Sequence, residues 1–205
     1  MDSSLHWDNV YSEKPFDSVS WYAPHLDESL RIIYQLAQSR DAAIVDIGGG
    51  ESTLVDDLLD NGYGDVTVLD ISETAIRHTQ GRLGPRSVDV SWYVGNVTTA
   101  SFEGKQFDVW HDRAVFHFLT DDDSRRAYVD LVRRSVKPGG FVVMATFGPQ
   151  GPLKCSGLDV VRYSDEELHS EFGDEFQLLG SDITDHSTPG GANQQFLYCW
   201  CRLEH

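Results

Sequence analysis

Short runs rich in β-branched residues alternate with longer amphipathic segments along this chain, and that alternation constrains the fold more than any other feature. Strands are expected at 43–47, 65–69, 89–94, 107–111, 139–146, 176–184 and 195–202. Helices are expected at 26–38, 52–61, 73–83, 122–136 and 165–172. Strands joined through helices can lie parallel, whereas the last two have little helix between them. An α/β architecture is therefore predicted, a doubly wound, mostly parallel seven-stranded sheet finished by an antiparallel C-terminal strand. Thr120, Asp121, Asp122 and Asp123 offer an N-cap and first-turn acids for the helix at 122–136, and Pro138, Gly139 and Gly140 end it. Residues 147–157, with Pro149 and Pro152, read as a loop long enough to be functional.

The 205 residues suit one domain, expected over 1–202, with 1–40 a helical cap and 41–202 the α/β core. A formal charge of −17 sets the chain against a phosphate backbone, and no basic patch offsets it, so no nucleic-acid partner is expected. Arg125-Arg126 and Arg133-Arg134 read as a solvated helix face. The start, Met1-Asp2-Ser3-Ser4, lacks a basic region followed by an apolar one, and no apolar run approaches the ~18 residues of a membrane span. A soluble cytoplasmic protein without a membrane partner is expected. Three cysteines form no disulfide framework, and Cys199 and Cys201 would share one strand face as packing residues. Leu203-Glu204-His205 resembles the start of a purification-tag junction and is set aside. Oligomeric state is left open.

At Gly48, Gly49 and Gly50 the chain must turn sharply from the first strand into a helix. Glycine tolerates positive φ there, and a bare backbone lets a ligand rest against it. Asp70 ends the second strand about 20 residues later, where a carboxylate accepts hydrogen bonds from two ribose hydroxyls. These two signals suit an NAD-dependent oxidoreductase as well as a nucleoside-binding enzyme. The dinucleotide turn G-x-G-x-x-G is incomplete, since Glu51, Ser52 and Thr53 follow Gly50.

Five stretches in order discriminate further. "IVDIGGGES", "VTVLDIS", "WYVGNVTT" and "FDVWHDRAVFHFL" resemble the successive motifs of the class I S-adenosylmethionine-dependent methyltransferases, and "LVRRSVKPGGFVVMATF" resembles the helix and fifth strand that follow them. The resemblance covers residues 43–147 and implies a Rossmann-like fold with S-adenosyl-L-methionine as cofactor. It implies that Asp46 and Gly48, with Gly50, face the methionine part, Asp70 the ribose diol, Ile71 the adenine face, and Asn96 with Val97 the adenine edge, with Gly49 also among the cofactor-binding residues. Where the family commonly has an acid this chain has Asn96, whose amide oxygen would accept from the adenine amino group. Ser52 stands in place of the usual third glycine.

Residues 6–25 carry Trp7, Tyr11, Phe16, Trp21 and Tyr22 ahead of the first strand. They read as a packed aromatic helix or as a lid with Trp21 or Tyr22 on the cofactor, as similar segments do in the resembled family. Asp112, Arg113 and His117 follow the fourth strand, where that family builds its substrate floor, and are the candidate catalytic residues, with Asp112 also beside the cofactor. Asp112 paired with Arg113, or a core His117, are the bland alternatives. His111, His117 and Cys155 form no metal-ligand spacing, so no metal is expected. Arg113, Lys154 and Arg162 are candidates for receiving an anionic acceptor. The expected activity is methyl transfer to a small-molecule acceptor by in-line displacement. The alternatives are a protein side chain as acceptor, an NAD-dependent oxidoreductase, and a non-catalytic cofactor-binding protein.

Overall fold

The computed structural model describes residues 3–204; Met1, Asp2 and His205 lie outside the described residues. Strand β1 (Ala43–Ile47) is buried on both faces. Ile44 packs into one layer, while Ala43, Val45 and Ile47 pack into the other. A strand covered on both sides belongs at the centre of a parallel sheet. Parallel to it run β2 (Asp65–Asp70), which continues to β3 (Val90–Val94), and β4 (Phe107–Arg113), which continues to β5 (Val136–Phe147). Two long strands, β8 (Phe176–Ser187) and β9 (Asn193–Leu203), close the sheet, with β9 antiparallel to β5. The order β3-β2-β1-β4-β5-β9-β8 is the expected doubly wound sheet of seven strands.

Helices cover both faces. Ile32 and Ile33 of α2 (Asp27–Leu36), Leu54, Val55 and Leu58 of α3 (Leu54–Asp60), and Ile76 and Leu83 of α4 (Glu73–Leu83) form one layer. Tyr128, Leu131 and Val132 of α5 (Asp122–Ser135) and Leu168 and Phe172 of α6 (Asp165–Phe172) form the other. Each fully buried aliphatic side chain contributes roughly 1.5–3 kcal/mol, so both layers hold the sheet. Ahead of them, α1 (Ser3–Glu13) lies against α4.

Several boundaries depart from the sequence expectation. Asp121 caps α5 by accepting from Ser124 N at 2.9 Å, one residue beyond Thr120. The helix stops at Ser135, and β5 already pairs at Val136. Phe107 faces Val136 but Val109 faces Phe141, so Pro138-Gly139-Gly140 form a bulge within β5, with Gly139 at φ 78°. The expected loop at 147–157 contains strand β6 (Lys154–Cys155), which pairs with β7 (Leu158–Asp159) across Ser156 and Gly157, both at positive φ. Leu203, set aside above, extends β9: it pairs with Phe176, is 2% exposed and packs into the α5–α6 layer. Cys199 and Cys201 do share a buried face. Among the described residues no helix is long and apolar enough to cross a membrane, and no group of three or more His, Cys, Asp or Glu side chains is gathered for a metal.

Candidate active site

The connection order reverses between β1 and β4, and there the carboxyl ends of β1, β2 and β4 open into a cavity of about 400 Å³. Ligands of open α/β sheets bind at such a point. Its floor contains Ile47 and Gly48 from the first turn, Asp70 and Ile71 after β2, Asn96 and Val97 after β3, and Arg113 after β4. Trp7 and Tyr11 of α1 and Trp21 line it from the N-terminal segment, while Cys155, Leu158 and Asp159 line it from the β6–β7 hairpin. Trp7 contacts Trp21 at 5.7 Å and Phe118 at 5.3 Å between ring centroids, edge to face, so α1 is joined to the loop after β4 by aromatic packing.

The glycine turn is tightly enclosed. Gly48 has φ 69°, a left-handed conformation that favours glycine. A Cβ at Gly49 would lie 2.4 Å from Asp46 Oδ2, and one at Gly50 would lie 2.6 Å from Asp70 Oδ2. Asp70 is 5% exposed and accepts from Gly50 N at 2.9 Å and Ser72 N at 2.8 Å. Burial pushes its carboxyl up to about 6, against the lowering effect of those two amides. Each oxygen retains acceptor capacity toward the cavity.

A second cavity, of about 40 Å³, adjoins the same turn and shares Tyr11, Trp21, Gly48 and Arg113 with the first. Asp46 and Glu51 line it. Asp46 accepts from His111 Nδ1 at 2.7 Å through Oδ1, while its buried Oδ2 has no hydrogen-bond partner. Tyr22 lines this smaller cavity and packs edge to face on Phe16 at 5.3 Å.

The geometry separates the residues expected from sequence. Trp21, Gly48, Asp70, Ile71, Asn96, Val97 and Arg113 converge on the larger cavity, and Asp46 reaches the smaller one. Asn96 departs from expectation in one respect: its Oδ1 already accepts from Thr98 N and Thr98 Oγ1, both at 2.9 Å, leaving its NH₂ as the free group.

Asp112 lines neither cavity and is fully buried. It accepts from Val115 N at 2.9 Å, Phe116 N at 3.1 Å and Tyr128 Oη at 2.6 Å. Its side chain is thus turned away from both cavities and pins the turn after β4, where Ala114 has φ 70°. It makes no ion pair with Arg113, which instead donates to Trp21 O at 3.0 Å and lies 4.4 Å over the Phe196 ring. His117 is fully buried and packs on Phe118 and Phe147. Burial, with the Arg113 charge, pushes its imidazole down to about 3, so it is a neutral core side chain rather than a base beside the cavity. Lys154, which pairs with Asp159 at 3.0 Å, and Arg162, which donates to Gly151 O, line neither of these cavities.

Sequence reading assigned no role at the site to Glu51, Phe118, Leu158 or Asp159, and named Trp7 and Tyr11 only as aromatic residues. The i, i+4 spacing of Trp7 and Tyr11 was a readable signal that both occupy one helix face. Nothing in the sequence marked the β6–β7 hairpin, whose strands are two residues each.

Comparison with known proteins places this geometry. A family described as "Methyltransferase domain" matches residues 44–140. The chain is 27% identical over 157 residues to the eEF1A lysine and N-terminal methyltransferase of Danio rerio, covering 75% of this chain but only 22% of that protein. It is 23% identical over 203 residues to the human EEF1A lysine methyltransferase 2, covering 91% of this chain and 79% of that one. Among solved structures, one from work on converting a disulfide bond into a thioacetal group during echinomycin biosynthesis superposes with TM-score 0.77 at 20% identity, covering 98% and 91% of the two chains. The Burkholderia thailandensis 1,6-didemethyltoxoflavin-N1-methyltransferase, solved with 1,6-didemethyltoxoflavin and S-adenosylhomocysteine, superposes with TM-score 0.67 at 18% identity over 99% of this chain and 84% of that one. With its motifs in order along a doubly wound sheet, its cavity at the switch point and a methyltransferase-domain match over residues 44–140, the chain is similar to the class I S-adenosylmethionine-dependent methyltransferases, and the likeness supports an enzyme with S-adenosyl-L-methionine as cofactor.

Proposed function

We propose that this methyltransferase acts on a small-molecule acceptor with an anionic group, held beneath α1 and the β6–β7 hairpin. Arg113 carries the reading. It lines both cavities, is held by Trp21 O and the Phe196 ring, and enters none of the ion pairs among the described residues. A guanidinium fixed beside a roofed cavity favours a carboxylate or another anion over an ammonium group.

The residues present fit the cofactor. Asp70 retains acceptor capacity for the ribose diol, Ile71 and Val97 supply apolar surface for the adenine, and Asn96 supplies an amide donor at its edge. Gly48 lines both cavities where the methionine part would pass, Gly49 and Gly50 pack against the Asp46 and Asp70 carboxylates, and Asp46 Oδ2 is an acceptor without a partner. Trp21 would close over it from the N-terminal segment. When bound, the cofactor supplies an electrophilic methyl group on a sulfonium. The chain's contribution is to orient the acceptor in line and exclude water, which α1 and the hairpin do from either side.

A second reading, transfer to a lysine side chain, is favoured by the names of the curated relatives. The two separate in one assay of label transfer from S-adenosylmethionine, offering small carboxylates, phenols, thiols and amines beside eEF1A. The expected result is transfer to a small anionic acceptor, with Arg113→Met raising the KM of the anionic acceptor about tenfold more than that of its neutral analogue. Label on eEF1A alone, or equal turnover of neutral and anionic analogues, would overturn it.

A further inference from the structure

Two acids flanking the glycine turn, Asp46 in β1 and Glu51 after Gly50, share an unusual arrangement. Asp46 is 2% exposed: Oδ1 is held by His111 Nδ1 and Oδ2 has no partner. Glu51 is 7% exposed: Oε1 is held by His78 Nδ1 and Oε2 has no partner. Both acids line the same cavity of about 40 Å³. A carboxylate only accepts, so each histidine donates from Nδ1 and orients one oxygen. His111 is itself fixed, since Nε2 meets Ser29 Oγ at 2.9 Å and Ser29 Oγ meets Tyr198 Oη at 3.3 Å, all three side chains being buried.

Buried carboxylate oxygens without partners are costly, and a native structure holds them where a donor arrives. Two acids that line one small cavity and each hold such an oxygen call for a cation with several donors. A group of ammonium size suits the volume, since a water molecule takes about 30 Å³ in the liquid.

We infer that Glu51 joins Asp46 in a two-carboxylate clamp for the α-ammonium group of the cofactor, with His78 and His111 as positioning residues. The inference rests on the cofactor placement proposed above and adds to it a second acid and the means of orienting both. The glycines make the clamp possible, because a Cβ at Gly49 would collide with Asp46 Oδ2. The clamp reads the amino-acid end of the cofactor alone, and that makes it separable from adenosine recognition.

The test is calorimetric, with two ligands that share the adenosine and the thioether. S-adenosylhomocysteine has the α-ammonium group; 5′-methylthioadenosine lacks the whole amino-acid end. Glu51→Gln should weaken S-adenosylhomocysteine about tenfold and leave 5′-methylthioadenosine unchanged. His78→Ala, which removes a partly exposed side chain, should act with the same selectivity by a smaller factor, and His78→Asn should restore part of the loss by returning an N–H donor. Equal weakening of both ligands, or no change in either, would overturn the clamp. If the parent chain binds neither ligand, the cofactor placement itself fails and the clamp with it. Circular dichroism melting identifies a variant that has not folded; should that be Glu51→Gln, the His78 pair decides.

Discussion

Asp8 of α1 accepts a hydrogen bond from Ser72 Oγ at 2.6 Å, and Ser72 in turn accepts from Ala75 N as the N-cap of α4. Asp8 also accepts from Thr74 N at 3.2 Å, so the roof helix is latched to the positive end of α4, two residues from Asp70. The bond from Ser72 holds the Asp8 carboxyl below its usual range, burial opposing it. A lowered carboxylate keeps its partner above the ordinary value and loses it as pH falls through the lowered one, so the latch is intact at neutral pH. Asp8→Ala should weaken S-adenosylhomocysteine binding roughly three- to tenfold. Because Ser72 still caps α4, the fold should persist while trypsin cleaves faster at Lys14, and a time course of limited proteolysis checks both.

Asp70 should make cofactor binding pH-dependent in the opposite range. Burial raises its carboxyl to about 6, so it takes up a proton as pH falls through that value and loses acceptor capacity toward the ribose. For stability the sign reverses: the folded state binds the proton more tightly, so this group's contribution falls as pH rises between about 3.8 and about 6. Calorimetry should show S-adenosylhomocysteine affinity flat above pH ~7 and about tenfold weaker one unit below the raised value. Asp70→Asn should bind weakly at every pH and lose this dependence.

Gly50→Ala tests the enclosed turn. Its Cβ would sit 2.6 Å from both Asp70 Oδ2 and Ala75 Cβ, so Asp70 must move. The expected cost is about 1–3 kcal/mol of stability with cofactor binding lost, measured by urea unfolding and calorimetry. Cofactor binding at parental strength would contradict the described packing.

Asn96→Asp should tighten the cofactor by roughly two- to fivefold. The carboxylate can keep both bonds from Thr98 while its second oxygen accepts from the adenine amino group, where Asn96 presents NH₂. Calorimetry at pH 8 distinguishes this from weaker binding.

Asp112→Asn should act on stability rather than chemistry. Three donors converge on Asp112, and an NH₂ facing any of them strands a buried polar group at a cost of about 1–3 kcal/mol. Burial has already raised this carboxyl to about 6. Folded variant protein should retain transfer within a few-fold, and a large loss at unchanged thermal midpoint would return Asp112 to the reaction.

Much of the frame was legible because it depends on local pattern. The β-branched runs at 43–47 and 65–69 became β1 and β2, since such residues suit a pleated strand buried on both faces. Gly48, Gly49, Gly50 and Asp70 announced their place because a tight turn and a strand-end carboxylate have sequence signatures. The positions of Asp112 and His117 after β4 were legible, but their side-chain directions, away from both cavities, were not. The pairing of Leu203 was not legible because an edge strand joins it to Phe176, 27 positions away.

The sequence by itself determined the strand and helix order, the phosphate-averse charge, the glycine turn and the carboxylate 20 residues beyond it, all set by residues close along the chain. Tertiary structure alone decided which polar atoms are left without partners. Asp46 meets His111 across 65 positions, Glu51 meets His78 across 27, and Arg113 meets Trp21 across 92. Hydrogen-bond satisfaction is a property of burial and proximity, and both arise only when distant segments pack.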